Sequence, residues 1–227
     1  MSIITLTTPD GFTLPALHVP SALPEGRPLV LIQEIFGINA AMREAAQHWA
    51  ALGFDVLCPD LFARQQAGVD LDPTVPEQFK AGIDLMMGMD QDLAVKDLGA
   101  ACQWFASSAP GAAVAALGYC LGGRLAVRMA FETPVSAAVS YYGVGLEGLL
   151  PAAPATSAPC LLHIAGQDGF VPPPARSIIL EEAAKRPQFS AYVYEGCDHA
   201  FARPQGEHYD SAAAELAQVR TLAFLKA

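Results

Sequence analysis

Residues 118–123 read "GYCLGG", and residues 111–117 ahead of them read "GAAVAAL". A run of small apolar residues that ends in Gly-x-Cys-x-Gly and continues into a helical pattern reads as strand, sharp turn and helix. In such a turn the glycines let strand and helix approach closely, and the middle residue is held out where its side chain can attack a bound molecule. Here the middle residue is Cys120. The bland reading is a structural cysteine, since an unpaired thiol often behaves as a small buried hydrophobe.

Outward from this turn the chain alternates strands and helices. An opening hairpin is expected around the turn "PDG" (9–11). Strands are expected over 27–34, 54–60, 112–119, 135–143, 158–166 and 189–196. A helix follows the first of these, with Met42, Ala45, Ala46 and Trp49 on one face. Residues 76–107 hold two helices that meet near Asp90. Further helices are expected near 122–132 and 173–186. A last one over about 208–225 has Ala212, Leu216, Val219 and Ala223 on one face. Repeated βα alternation with apolar strands implies an α/β fold, a mostly parallel sheet covered on both faces. The 227 residues suit one domain over 1–227.

Composition narrows the function. Hydrophobic residues make up 52% and charged ones 16%, which excludes disorder. No apolar run reaches the roughly 18 residues of a membrane span, and the N-terminus lacks the pattern of a signal peptide. The net charge of −10, with no basic patch, argues against nucleic acid and anionic membranes as partners. Five cysteines (58, 102, 120, 160, 197) are scattered without ligand spacing. That argues against a disulfide framework or a structural metal, and for reduced thiols in a cytoplasmic protein. Cys58, Cys102 and Cys160 read as core fillers.

A catalytic thiol needs a base, and the base needs a group to orient it. Of five histidines, His199 in "GCDHAFARP" follows a strand and precedes the last helix. His163 lies inside a strand, His48 on a helix, and His18 in the opening hairpin. His208 is the nearest competitor. Asp168 in "HIAGQDGFVP" falls just past a strand end, where ligands gather in open α/β sheets. The order Cys120, Asp168, His199 is the nucleophile–acid–histidine order of α/β-hydrolases.

Together "QEIFGIN" (33–39), "CPDLFARQ" (58–65), "GYCLGG", "YYGVGLE" (141–147), "GQDGFVP" (166–172) and "HAFAR" (199–203) resemble the dienelactone hydrolase family over nearly the whole chain. The resemblance implies a cytoplasmic, monomeric α/β-hydrolase without cofactor or metal. Its substrate would be a small-molecule ester or lactone, probed by an enol lactone opened to a maleylacetate-like product. It implies Cys120 as nucleophile, His199 as base and Asp168 as its orienter. The backbone N–H groups of Ile35 and Leu121 would form the oxyanion hole. It further implies that Glu34 holds the resting thiol protonated until substrate draws it away; the bland alternative pairs Glu34 with a nearby arginine.

The family grips an anionic substrate with two arginines. One matches Arg203. The other is absent, because no arginine occurs between Arg64 and Arg124. Phe79 stands in its place with Lys80 beside it, and Phe36 of the "QEIFG" motif is counted with them as lining the substrate pocket. Two rivals remain at this level: an esterase or thioesterase of altered specificity, and a thiol-redox or binding protein.

Overall fold

A computed structural model describes residues 1–226; Ala227, the last residue of the expected domain, lies outside the described residues. The strands are β1 (Ser2–Thr7), β2 (Thr13–Val19), β3 (Arg27–Ile32), β4 (Phe54–Pro59), β5 (Ala115–Tyr119), β6 (Ala137–Tyr141), β7 (Cys160–Ala165) and β8 (Phe189–Tyr194). They form one sheet in the order β1-β2-β4-β3-β5-β6-β7-β8. The first two strands form an antiparallel hairpin, and β2 pairs antiparallel with β4. From β4 onward every pairing is parallel.

Among the described residues six α-helices cover the sheet: α1 (Ala40–Ala51), α2 (Pro76–Gly88), α3 (Gln91–Ser108), α4 (Leu121–Glu132), α5 (Pro173–Ala184) and α6 (Ser211–Lys226). Side chains alternate across a strand, so one strand serves two cores. In β3, Leu29 and Leu31 pack with Met42, Ala46 and Trp49 of α1 and Ala217 of α6. Val30 and Ile32 pack on the other face with Leu98 of α3, Leu125 of α4 and Ile179 of α5. Asp90 does separate two helices, because its carboxylate caps α3 by accepting from the N–H groups of Asp92 and Leu93 at 2.9 and 3.0 Å.

Two expectations need correction. The last helix starts at Ser211, so His208 sits in the loop before it. The helix is also rotated relative to its apolar pattern. Leu216 is 45% exposed and Val219 56%, while Ala217 and Thr221 are buried. The reason is close approach. Thr221 Oγ1 bonds to the Tyr141 hydroxyl at 2.8 Å and to His163 Nε2 at 2.9 Å, and only small residues let α6 come that near the sheet.

Candidate active site

Cys120 sits between β5 and α4 with φ 53° and ψ −115°, a backbone state that a non-glycine residue holds only when its surroundings enforce it. The enforcement is visible on both sides. A Cβ on Gly118 would lie 2.0 Å from the Gly122 carbonyl oxygen, and one on Gly122 would lie 2.3 Å from that of Ile32. The turn is therefore closed tightly enough that only glycine fits. The Cys120 N–H donates to the Tyr141 carbonyl at 3.0 Å, and its own carbonyl accepts from Arg124 N–H at 3.2 Å. Cys58, Cys102 and Cys160 are buried, and burial pushes the Cys160 thiol up to about 12.

The other two members meet at the same end of the sheet. His199 Nδ1 is 2.7 Å from Asp168 Oδ2. Asp168 is nearly inaccessible, and its second oxygen accepts from Phe170 N–H at 2.8 Å. Burial by itself would lower the proton affinity of His199. The bond to Asp168, and the Cys120 thiol close beside the ring, overcome that penalty and raise its pKa to about 10. Such a ring readily takes a proton from the thiol, with Asp168 fixing Nδ1–H so that the opposite nitrogen faces the reaction. His208 and His18 take no part: His208 lies in an exposed loop, and His18 pairs with Asp55 at 2.7 Å.

Ile35 and Leu121 are both buried, and Leu121 directly follows Cys120. Leu121 is the first residue of α4, where an N–H has no partner within the helix. Neither the Ile35 N–H nor the Leu121 N–H donates to another group among the described residues. A free amide at the residue after a nucleophile, as at Leu121, can receive a developing oxyanion.

Glu34 and Arg203 form an ion pair, Oε2 to Nη1, at 2.9 Å, with the carboxylate side chain only 3% exposed. Glu34 thus takes the arginine partner, and its one side-chain hydrogen bond runs to Arg203 and not to Cys120. Its second oxygen, Oε1, is buried without a partner, as is Nε of Arg203. Burial alone would lower the Arg203 pKa, and Glu34 reverses this and holds it raised. The guanidinium lies 5.7 Å from the centre of the Phe36 ring. Phe36 in turn meets Phe79 of α2 at 5.6 Å between ring centres.

Lys80 does not join them. Its side chain is 74% exposed and bonds Asp84 at 2.5 Å one turn along α2. A single residue step turns the side chain about 100° around a helix, so when Phe79 faces the site Lys80 cannot. Sequence reasoning also passed over two rings at the histidine. Tyr142 lies 5.1 Å from His199 with φ 40°, and Phe170 covers it at 4.9 Å while remaining 60% exposed. Their signal was their position just past strand ends, in "YYG" and "QDGF".

No group of three or more His, Cys, Asp or Glu side chains among the described residues is placed to hold a metal ion. No helix of the described residues is long and apolar enough to cross a membrane.

The pattern of the Dienelactone hydrolase family matches residues 14–227. A carboxymethylenebutenolidase of Pseudomonas putida is 41% identical over 224 residues, covering 98% of this chain and 94% of that protein. Carboxymethylenebutenolidase 1 of Cupriavidus pinatubonensis is 36% identical over 204 residues, covering 88% and 86%. The crystal structure of a dienelactone hydrolase from Anabaena variabilis superposes with a TM-score of 0.71 at 18% identity, covering 99% of this chain and 96% of that one, which is a likeness of fold. With a nucleophile turn, a carboxylate-bound histidine and this degree of relationship, the chain belongs to the dienelactone hydrolase family and is an ester- and lactone-hydrolysing enzyme.

Proposed function

We propose that the enzyme opens enol lactones and similarly activated small esters through Cys120, giving a maleylacetate-like product from a dienelactone-like substrate. The observation that carries this reading is the cysteine at the strained turn with the His199–Asp168 pair beside it. His199 takes the thiol proton and sulfur attacks the carbonyl carbon. The carbonyl oxygen, now negative, is received by the N–H groups of Ile35 and Leu121. When the tetrahedral centre collapses, the ring C–O bond breaks, the enolate leaves and His199 returns the proton. A water molecule, deprotonated by His199, then attacks the thioester carbon. The acid is released and Cys120 is regenerated.

The choice of sulfur fits this substrate class. A thiolate is a better leaving group than an alkoxide, so with an alkyl ester or amide the thiolate is expelled again. An enolate is stabilised and competes with sulfur for departure. Arg203 supports recognition of a carboxylate on the substrate, because a guanidinium offers a planar fork. In this reading the incoming carboxylate takes Arg203 from Glu34. The displaced Glu34 no longer holds the thiol protonated, and Cys120 passes its proton to His199 only when substrate is present. With Phe79 where a second arginine would stand, the grip on an anion is weaker and that side of the pocket is apolar. The site draws on one sheet, which supports a single domain, and a monomer belongs to the same reading. The five unpaired thiols support a reducing, cytoplasmic setting.

The test is turnover of a panel of enol lactones, aryl esters and thioesters, with and without a carboxylate. Preference for enol lactones supports the reading; turnover confined to alkyl esters or amides overturns it.

A further inference from the structure

A cavity of about 670 Å³ is not lined by Cys120, Asp168 or His199. It opens between α1 and α6 on the sheet face opposite α3, α4 and α5. Its volume falls within the range of small-molecule sites. Trp49, Tyr119, Tyr141 and Tyr142 form its inner wall. Trp49 Nε1 donates to the Tyr119 hydroxyl at 3.0 Å, so these rings are fixed relative to one another. Burial, with the charge of Glu34 nearby, pushes the phenols of Tyr119 and Tyr142 up, so both stay neutral.

Glu34 also lines this cavity, and its Oε1 is the buried acceptor without a partner in a residue only 2% exposed. A carboxylate oxygen left unpaired in such a place is costly, and a bound donor would relieve it. The mouth is different. It carries the exposed carboxylates of Glu44 on α1 and Glu215 on α6. His48 Nε2 meets Gln218 Oε1 at 2.6 Å and ties the two helices together there. The one cation of the wall, Arg203, is engaged by Glu34.

From inside outward a ligand therefore meets one unsatisfied carboxylate oxygen, a set of aromatic faces, and a pair of carboxylates at the rim. We propose that this cavity is an effector site for a phenol that carries a cationic alkylamine chain. Its hydroxyl donates to Glu34 Oε1, its ring packs against Trp49 and the tyrosines, and its ammonium lies between Glu44 and Glu215. Carboxylated molecules are excluded by the rim. Glu34 is shared with the catalytic side, so occupancy has a consequence there. A hydroxyl bonded to Oε1 draws charge from the carboxylate and loosens its hold on Arg203. A substrate carboxylate then finds the arginine more available. This last step rests on the role given above to Arg203, whereas the binding itself does not.

The probe is tyramine, titrated calorimetrically into the Cys120→Ala protein, where no turnover occurs. We expect one-to-one binding. Phenethylamine lacks the hydroxyl, p-cresol lacks the ammonium, and each should bind roughly tenfold more weakly, as expected for loss of one hydrogen bond to a charged group. The anion 4-hydroxyphenylacetate should not bind. Ala45→Trp, which fills the cavity from α1, should abolish binding, and Glu215→Gln at the exposed rim should weaken it several-fold without any risk to folding. With wild-type enzyme, saturating tyramine should lower KM for a carboxylated lactone at least twofold and leave a neutral aryl ester unchanged. No binding of tyramine, or binding indifferent to both variants, overturns the site. Binding that leaves the KM of the carboxylated lactone unmoved overturns its role as an effector. Loss of all hydrolysis by the wild type with tyramine binding intact would count against the proposed catalytic function and not against the site.

Discussion

Replacing Arg203 separates two tasks that one guanidinium performs. Its Nη1 sits 2.9 Å from Glu34 Oε2 in a pair whose carboxylate side chain is 3% exposed. Removing the cation alone leaves that carboxylate buried and uncompensated, which costs about 3–5 kcal/mol of stability. It also removes the fork proposed to hold the substrate carboxylate, worth roughly 1.5–3 kcal/mol, or about 10- to 150-fold in kcat/KM. Arg203→Met should therefore unfold at much lower urea and lose activity on carboxylated lactones. The double variant Arg203→Met with Glu34→Gln removes both charges, and should recover most of the stability without recovering the substrate preference. The assay is kcat/KM for a carboxylated enol lactone and for neutral p-nitrophenyl acetate, measured beside urea unfolding for the wild type and both variants. The ratio of the two rate constants is the decisive number. If it stays at the wild-type value in the double variant, Arg203 holds the loop in place and does not read the substrate.

Cys120→Ser should lose most activity on enol lactones and keep weak activity on alkyl esters; a serine variant with the full lactonase rate would refute the account of sulfur. His199 binds its proton more tightly in the folded protein, with a pKa near 10, than in an unfolded chain, where about 6.5 is usual. Its contribution to stability is thus complete below about pH 6.5 and fades as pH rises toward 10, by at most about 5 kcal/mol. Asp168→Asn should flatten that decline in urea unfolding between pH 6 and 10, and an unchanged slope would contradict the pairing. Gly122→Ala should cost at least about 1–3 kcal/mol and displace the nucleophile turn, because the new methyl meets the Ile32 and Gln33 carbonyls. Gly148→Ala, with open space around it, is the control that should cost little. Phe79→Arg should lower KM for carboxylated lactones, whereas Lys80→Ala should leave kinetics unchanged.

The fold was legible because its signals are local. Apolar strands between turns, the helix boundary at Asp90, and the glycines around Cys120 each act over a few residues. The chain order of the three catalytic candidates was legible for the same reason, since each falls just past a strand end. Long-range choices were not. The orientation of α6 is decided by Thr221 meeting His163 and Tyr141, partners 58 and 80 residues away, so a face richer in leucine and valine lost to a face of small residues. The partner of Glu34 lies 169 residues on, and only the folded chain selects Arg203 over the thiol as the group that satisfies it. Lys80 failed as a site residue on geometry alone, since adjacent helical positions diverge. The cavity between α1 and α6 had no sequence signature, because its wall is assembled from residues as distant as Trp49 and Tyr142.

The most direct test of the central claim is the covalent state of Cys120 during turnover. Enzyme mixed with an enol lactone, quenched in acid within milliseconds and digested, should show a peptide containing Cys120 that is heavier by the mass of the intact lactone. Cys120→Ala should show neither the adduct nor turnover. Sustained turnover by Cys120→Ala would contradict the account, as would an adduct placed on another residue.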